Sequence, residues 1–95
     1  MEYNFDQVHN YYERLVFEEV AIRAHNDAYA HFTPDMLADV ACLALNRLPA
    51  RYVRHDVDMM FYMTERERQD IEESLEKVLK FSFAFVKERT TKPSV

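Results

Sequence analysis

No glycine occurs in the 95 residues of this chain, and nothing else in the sequence constrains its folding as strongly. Glycine lets a backbone turn through the left-handed region or approach a phosphate closely. Phosphate-cradling loops, dinucleotide fingerprints and Asn-Gly hairpins are therefore excluded, and a helical fold is expected. The length allows one domain, over residues 1–95. A chain this short buries only a modest part of its surface, so a lone monomer is marginal and a dimer is expected. With 48% hydrophobic and 31% charged residues the composition is globular. The one cysteine excludes a disulfide framework and a multi-cysteine zinc site. Together with the absence of a signal-peptide pattern, it predicts a cytoplasmic protein. No apolar run approaches the roughly 20 residues of a membrane span, so no membrane insertion is expected. The net charge of −5 argues against a nucleic-acid polymer as partner.

Helix signals divide the chain. Asn4 and Gln7 have cap spacing, with Tyr3 and Val8 placed for a staple, so a first helix is predicted from there to about Ala24 or His25. Its apolar face, Phe5, Val8, Tyr12, Leu15, Val16 and Val20, is broad for so short a chain. Residues 25–32 read as a connector. Thr33-Pro34-Asp35 opens a second helix by cap, first-turn proline and dipole partner, and Pro49 closes it. Between them, residues 36–48 are apolar on nearly every face, which predicts a central buried helix holding Cys42 as an inert core residue. Residues 51–58 look irregular, and residues 58–63 suit either a short strand or an extra helical turn. Thr64 and Glu67 form a capping box for a last helix that carries Ile71, Leu75, Val78, Leu79, Ser82, Phe85 and Val86 on one side. Phe81, Phe83 and Phe85 are expected in core or interface, and residues 90–95 as a flexible tail. The prediction is an all-α bundle of three to four helices.

The run Asp39-Val40-Ala41-Cys42-Leu43-Ala44-Leu45-Asn46-Arg47-Leu48-Pro49-Ala50-Arg51-Tyr52-Val53 resembles the signature of the late competence protein ComFB family. Ala-Leu-Asn-x-Leu-Pro-x-x-Tyr is not a generic amphipathic pattern, and the helical layout extends the likeness over most of the chain. Two departures stand out. Ala50 replaces the usual second proline, and the connector from His25 to His31 lacks the cysteine cluster of Bacillus-type relatives, so zinc binding does not carry over. The resemblance implies a small, helical, dimeric and non-enzymatic regulator. It further implies a receptor of cyclic dinucleotides, cyclic di-GMP foremost, or a part in competence, pilus or motility control through an unidentified protein partner.

The residues suit such a ligand. Arg47, Arg51 and Arg54 form a positive island in an acidic chain, with Tyr52 and His55 among them. Arginine forks match phosphate oxygens and guanine O6 and N7, and a flat ring stacks on a base. Asp39 and Asn46 suit a guanine edge. The expected ligand site is thus Asp39, Asn46, Arg47, Arg51, Tyr52 and Arg54, with no cofactor. The same cations also suit ion pairs with acidic neighbours or the helix C-terminal dipole. His25, Asp27 and His31, or His55, Asp56 and Asp58, have ligand-type spacing but form no closed tetrahedral set, and no metal is expected. No Ser/His/Asp order or paired-carboxylate arrangement points to catalysis. The competing reading is a ligand-free helical adaptor whose apolar faces serve dimerisation and partner docking.

Overall fold

A computed structural model describes residues 2–91. Four α-helices and one two-stranded antiparallel ribbon follow in the order β1 (His9–Asn10), α1 (Tyr12–Arg23), a 3-10 turn (Asp27–Tyr29), α2 (Pro34–Arg47), β2 (Tyr52–Val53), α3 (Asp56–Tyr62) and α4 (Glu65–Thr91). The all-α expectation stands, with the ribbon added.

The punctuation of α2 and α4 works as the residue types require. The Thr33 hydroxyl accepts from the Met36 N–H at 3.2 Å, and Pro34 fills the first turn, where its missing N–H has no helical partner to lose. Leu48, ahead of Pro49, is extended at φ −94° and ψ 139°, and the helix stops there. The Thr64 hydroxyl accepts from the Glu67 N–H at 3.1 Å and starts α4. At 27 residues α4 is about 40 Å long, twice the reach of α1.

The first helix begins later than its sequence suggests. Asn4 closes a local turn instead, its side-chain oxygen accepting from the Asp6 N–H at 2.8 Å, and Phe5 and Val8 are exposed. The effective start signal is Asn10 with Glu13. The buried Asn10 carbonyl accepts from the Tyr12 N–H at 3.3 Å, and Glu13 reaches back to the Asn10 N–H at 3.3 Å. The same Asn10 oxygen also accepts from the Arg51 N–H at 3.0 Å, and the Tyr11 N–H donates to the Arg51 carbonyl at 2.7 Å. These bonds fix β1 against β2 in the register His9 to Val53 and Asn10 to Tyr52. Pairing across more than forty residues therefore holds residues 9–10 out of the helix. It also places the short strand at 52–53, whereas residues 58–62 are helical. At the other end Thr90 and Thr91 continue α4, and the rest of the expected tail, 92–95, lies outside the described residues.

The core lies between α1, α2 and α4. Tyr12, Val16 and Val20 repeat every four residues on α1 and meet Val40, Ala41, Ala44 and Leu48 of α2 and Leu79, Phe83 and Val86 of α4. Phe83 stacks on Tyr29 at 4.4 Å between ring centroids and touches Phe32 at 5.6 Å, so the 3-10 turn lids the core. The buried Ser82 hydroxyl is satisfied by the Val78 carbonyl at 2.7 Å, so it leaves no unpaired polar group in the interior. An Arg23–Glu76 hydrogen bond ties the end of α1 to α4. Glu76 is held below the usual carboxylate range chiefly by that bond and the Arg23 charge, with Lys80 adding to the pull.

One expectation is overturned in part. The second helix is central but covered on one side only. Val40, Ala41 and Ala44 are buried, while Ala38, Asp39, Cys42 and Asn46 are exposed. An apolar helix is fully buried only if something covers each face, and α1 and α4 between them cover about half of this one.

Candidate functional site

The groove between α2 and the C-terminal third of α4 brings charged, amide and aromatic groups together. It holds about 530 Å³. Asp39, Cys42, Leu43 and Asn46 supply one wall at helical i, i+3, i+4, i+7 spacing, and Phe85, Val86, Arg89 and Thr90 supply the other. Leu43 and Val86 give it an apolar floor, while Asp39, Asn46 and Arg89 give it an acceptor, an amide and a cation. The Thr90 hydroxyl is turned back onto the Val86 carbonyl at 2.9 Å.

Phe85 and Arg89 line the groove, and a second arginine–phenylalanine pair, Arg47 with Phe81, joins the same two helices. The Arg47 guanidinium lies 4.0 Å from the Phe81 ring centroid, and that of Arg89 lies 5.6 Å from Phe85. Phe81 and Phe85 are one helical turn apart, with centroids at 5.8 Å. Both rings are partly open to solvent. A guanidinium over a ring face is held by the ring's quadrupole through its plane and can still offer its N–H edge to an anion.

The six residues singled out in the sequence divide into three places. Asp39 and Asn46 share the groove, two turns apart on α2. Arg47 follows Asn46 on α2 but does not line the groove, its guanidinium lying over Phe81. Arg51, Tyr52 and Arg54 follow Pro49 onto the ribbon, exposed and outside the groove. The arginine island of the sequence is thus split by the end of α2 ahead of Pro49. Arg89 takes the place expected of those cations within the groove. Sequence reasoning missed Arg89, although Phe81, Phe85 and Arg89 repeat every four residues and so share one face of α4. Cys42 is likewise an exposed groove residue and not a core one. Among the described residues, no three side chains of His, Cys, Asp and Glu gather as a metal site needs.

A second polar cluster ties the ribbon to α3. His9 Nε2 lies 2.6 Å from Asp56 Oδ1, and His9 Nδ1 lies 2.6 Å from the Gln7 carbonyl. Arg14 reaches the other Asp56 oxygen at 3.3 Å. Both ring nitrogens face acceptors, so only the doubly protonated imidazolium donates to both. The Asp56 hydrogen bond is the main reason the His9 pKa lies above its ordinary 6.5, and the same bond holds Asp56 below its ordinary 3.8. The raised histidine stabilises the fold below pH 6.5, and that contribution disappears as pH climbs through the folded-state value above 6.5. The depressed aspartate contributes above pH 3.8 and is lost as pH falls through its lower folded value. The increment is therefore full between these limits. A His9→Gln variant should show a flatter stability-against-pH curve above pH 6.5 than wild type in urea titrations. Identical curves would show that the pair does not titrate with folding.

A family model described as late competence development protein ComFB matches residues 9–90. The match begins at β1 and ends at the groove residue Thr90. No curated protein and no solved structure matches the chain. No helix among the described residues is long and apolar enough to cross a membrane. With nearly the whole length matched, the chain belongs to the ComFB family.

Proposed function

We propose that this chain is a non-enzymatic, homodimeric and cytoplasmic receptor of a cyclic dinucleotide, cyclic di-GMP foremost, that passes its signal to a protein partner in competence, pilus or motility control. The observation that carries the reading is the shared placement of Asp39, Asn46 and Arg89 in one groove against a half-open phenylalanine. Each group matches part of the ligand. A carboxylate accepts from the donor edge of guanine, which carries an N–H and an exocyclic NH₂. An arginine fork pairs with phosphate oxygens or with guanine O6 and N7. An exposed aromatic face takes a base. With no glycine in the chain, the phosphates are held by side chains and not by a backbone cradle. Arg51 and Arg54, on either side of Tyr52 at the ribbon, are two further exposed cations that add to the attraction of an anion.

Thermal shift tests the reading directly. Cyclic di-GMP at about a hundred times its Kd should add about 2.7 kcal/mol of stability. For a domain of this size that raises Tm by roughly 10–20 °C. Cyclic di-AMP should give a smaller shift, because adenine presents Asp39 with no matching N–H pair. An unchanged Tm with either nucleotide at millimolar concentration would remove the receptor reading.

A ligand-free adaptor is the second reading, and α3 favours it. Phe61 is 79% exposed and Tyr62 84%, with Val57 and Met60 also open. Such a cluster is typical of a docking surface. Capture of a partner that is equally strong with and without nucleotide, and lost on Phe61→Ser, would support the adaptor over the receptor.

A further inference from the structure

The short helix α3 stands between extended residues, His55 at φ −128° and ψ 124° and Met63 at φ −81° and ψ 128°. Met59 is its one buried residue and lies outside the core of α1, α2 and α4. Asp56 fastens its first turn, with one carboxylate oxygen on His9 and the other on Arg14. Beneath α3 a cavity of about 310 Å³ remains, bounded by α1 and the first half of α4. That lies at the lower end of small-molecule sites, roughly 300–1,000 Å³. It shares no residue with the α2–α4 groove.

The cavity is apolar along its inner wall and charged at its mouth. Leu15 of α1 and Ile71 and Leu75 of α4 line it, half-buried against the core. Met60 and Met63 line it from the side of α3. Methionine is unbranched and polarisable, so it repacks around bodies of different shape. The exposed Phe61 and Tyr62 take no part in the lining, which separates this cavity from the outer face of α3. At the mouth, Arg68 is exposed, and among the described residues it makes no ion pair. Asp56 has both oxygens engaged. Glu72 also borders the neighbouring surface of Gln69 and Lys77, so it has a place outside the cavity when an anion takes Arg68.

Magnitudes decide what fits. One exposed guanidinium gives an anion little affinity by itself. Each methylene moved from water into an apolar cavity tightens binding about four-fold. Affinity therefore comes from an apolar body, and the charged head sets its orientation. We propose that the cavity beneath α3 binds a medium-chain carboxylate, with its alkyl chain against Leu15, Ile71 and Leu75 and its carboxylate on Arg68. A two-chain membrane lipid exceeds this volume, so the free single-chain acid is the occupant. This site stands apart from the nucleotide reading and survives its failure.

The five methionines supply the probe. The full chain, labelled with carbon-13 at its methionine methyl groups, is titrated with hexanoate, octanoate and decanoate. The Met60 and Met63 signals should shift saturably, and that of Met36, on α2 and outside the cavity wall, should not. Affinity should rise about four-fold per added methylene until the cavity is full. Arg68→Gln should weaken decanoate binding roughly ten-fold, the loss of one charge-assisted hydrogen bond. Arg66→Gln, on the same helix but outside the lining, should leave it unchanged. No shift at millimolar decanoate, or a Met36 shift as large as those of Met60 and Met63, would overturn the site. Equal weakening by the two arginine variants, or decyltrimethylammonium binding as tightly as decanoate, would overturn the anchor at Arg68. Binding to phosphatidylglycerol vesicles without any response to decanoate would assign α3 to a lipid surface and overturn the cavity.

Discussion

Phe83→Ala is expected to lower the free energy of unfolding by about 3–5 kcal/mol, the largest loss from any single truncation in this fold. Phe83 is 1% exposed and is the bulkiest of the fully buried side chains. It joins three elements, since its ring faces α2 across the core while stacking on Tyr29 and Phe32 of the connector. Removing it leaves a cavity that the stacked rings cannot collapse into without pulling the 3-10 turn away from α4. A chain of this length has roughly 5–15 kcal/mol of stability in total, so the variant should sit near its unfolding threshold. Urea denaturation with an unchanged slope would report this loss as stability alone. Phe83→Leu, which keeps most of the volume, should cost less than about 1.5 kcal/mol. A loss below 1 kcal/mol for the alanine variant would mean that α4 does not close the core as described.

Asn10→Ala should have the second-largest effect, about 2–4 kcal/mol. The Asn10 side-chain oxygen accepts from two backbone N–H groups, those of Tyr12 and Arg51. Each donor left unpaired in a partly buried place costs about 1–3 kcal/mol. The variant should also free the ribbon, so that hydrogen exchange of the Arg51 amide quickens more than that of the Val16 amide in the core. Asn4→Ala, by contrast, should change stability by less than about 0.5 kcal/mol, because Asn4 serves one exposed local turn. Equal effects at the two positions would contradict the helix start assigned to Asn10.

That pair of asparagines shows how much of the fold the sequence carries. Asn4 with Gln7 and Asn10 with Glu13 have the same cap spacing, and local chemistry does not rank them. What ranks them is the pairing of β1 with β2, set by residues more than forty positions later. Where no distant partner competes, local signals suffice. Thr33 with Pro34, Pro49 and Thr64 with Glu67 bound their helices as their chemistry requires. Residues 58–63 suit strand and helix equally in pattern, and α3, at seven residues, is too short for periodicity to separate them.

The groove was half legible for a related reason. Asp39 and Asn46 stand out as the polar exceptions on an apolar helix, so their position on the open face follows from composition. Arg47 and Arg51 are close in sequence but lie on different sides of Pro49, Arg47 on α2 and Arg51 beside β2. Arg89 is distant in sequence but faces Asp39 because α4 packs along α2. Contiguous charge in a sequence overstates a cluster where a helix ends between the charged residues. The exposure of Cys42 follows from the same limit. Hydropathy records that a helix face is apolar and does not record whether its own chain or a second copy covers it.

A calorimetric titration of the full chain with cyclic di-GMP tests the receptor claim most directly. Wild type should give saturable heat. Arg89→Ala, which removes the groove's cation, should weaken binding by roughly 10-fold or more, the loss expected of one charge-assisted hydrogen bond. Arg51→Ala, on the ribbon outside the groove, should change it less. No heat in wild type at millimolar nucleotide, or an unchanged affinity in Arg89→Ala, would contradict binding in the α2–α4 groove.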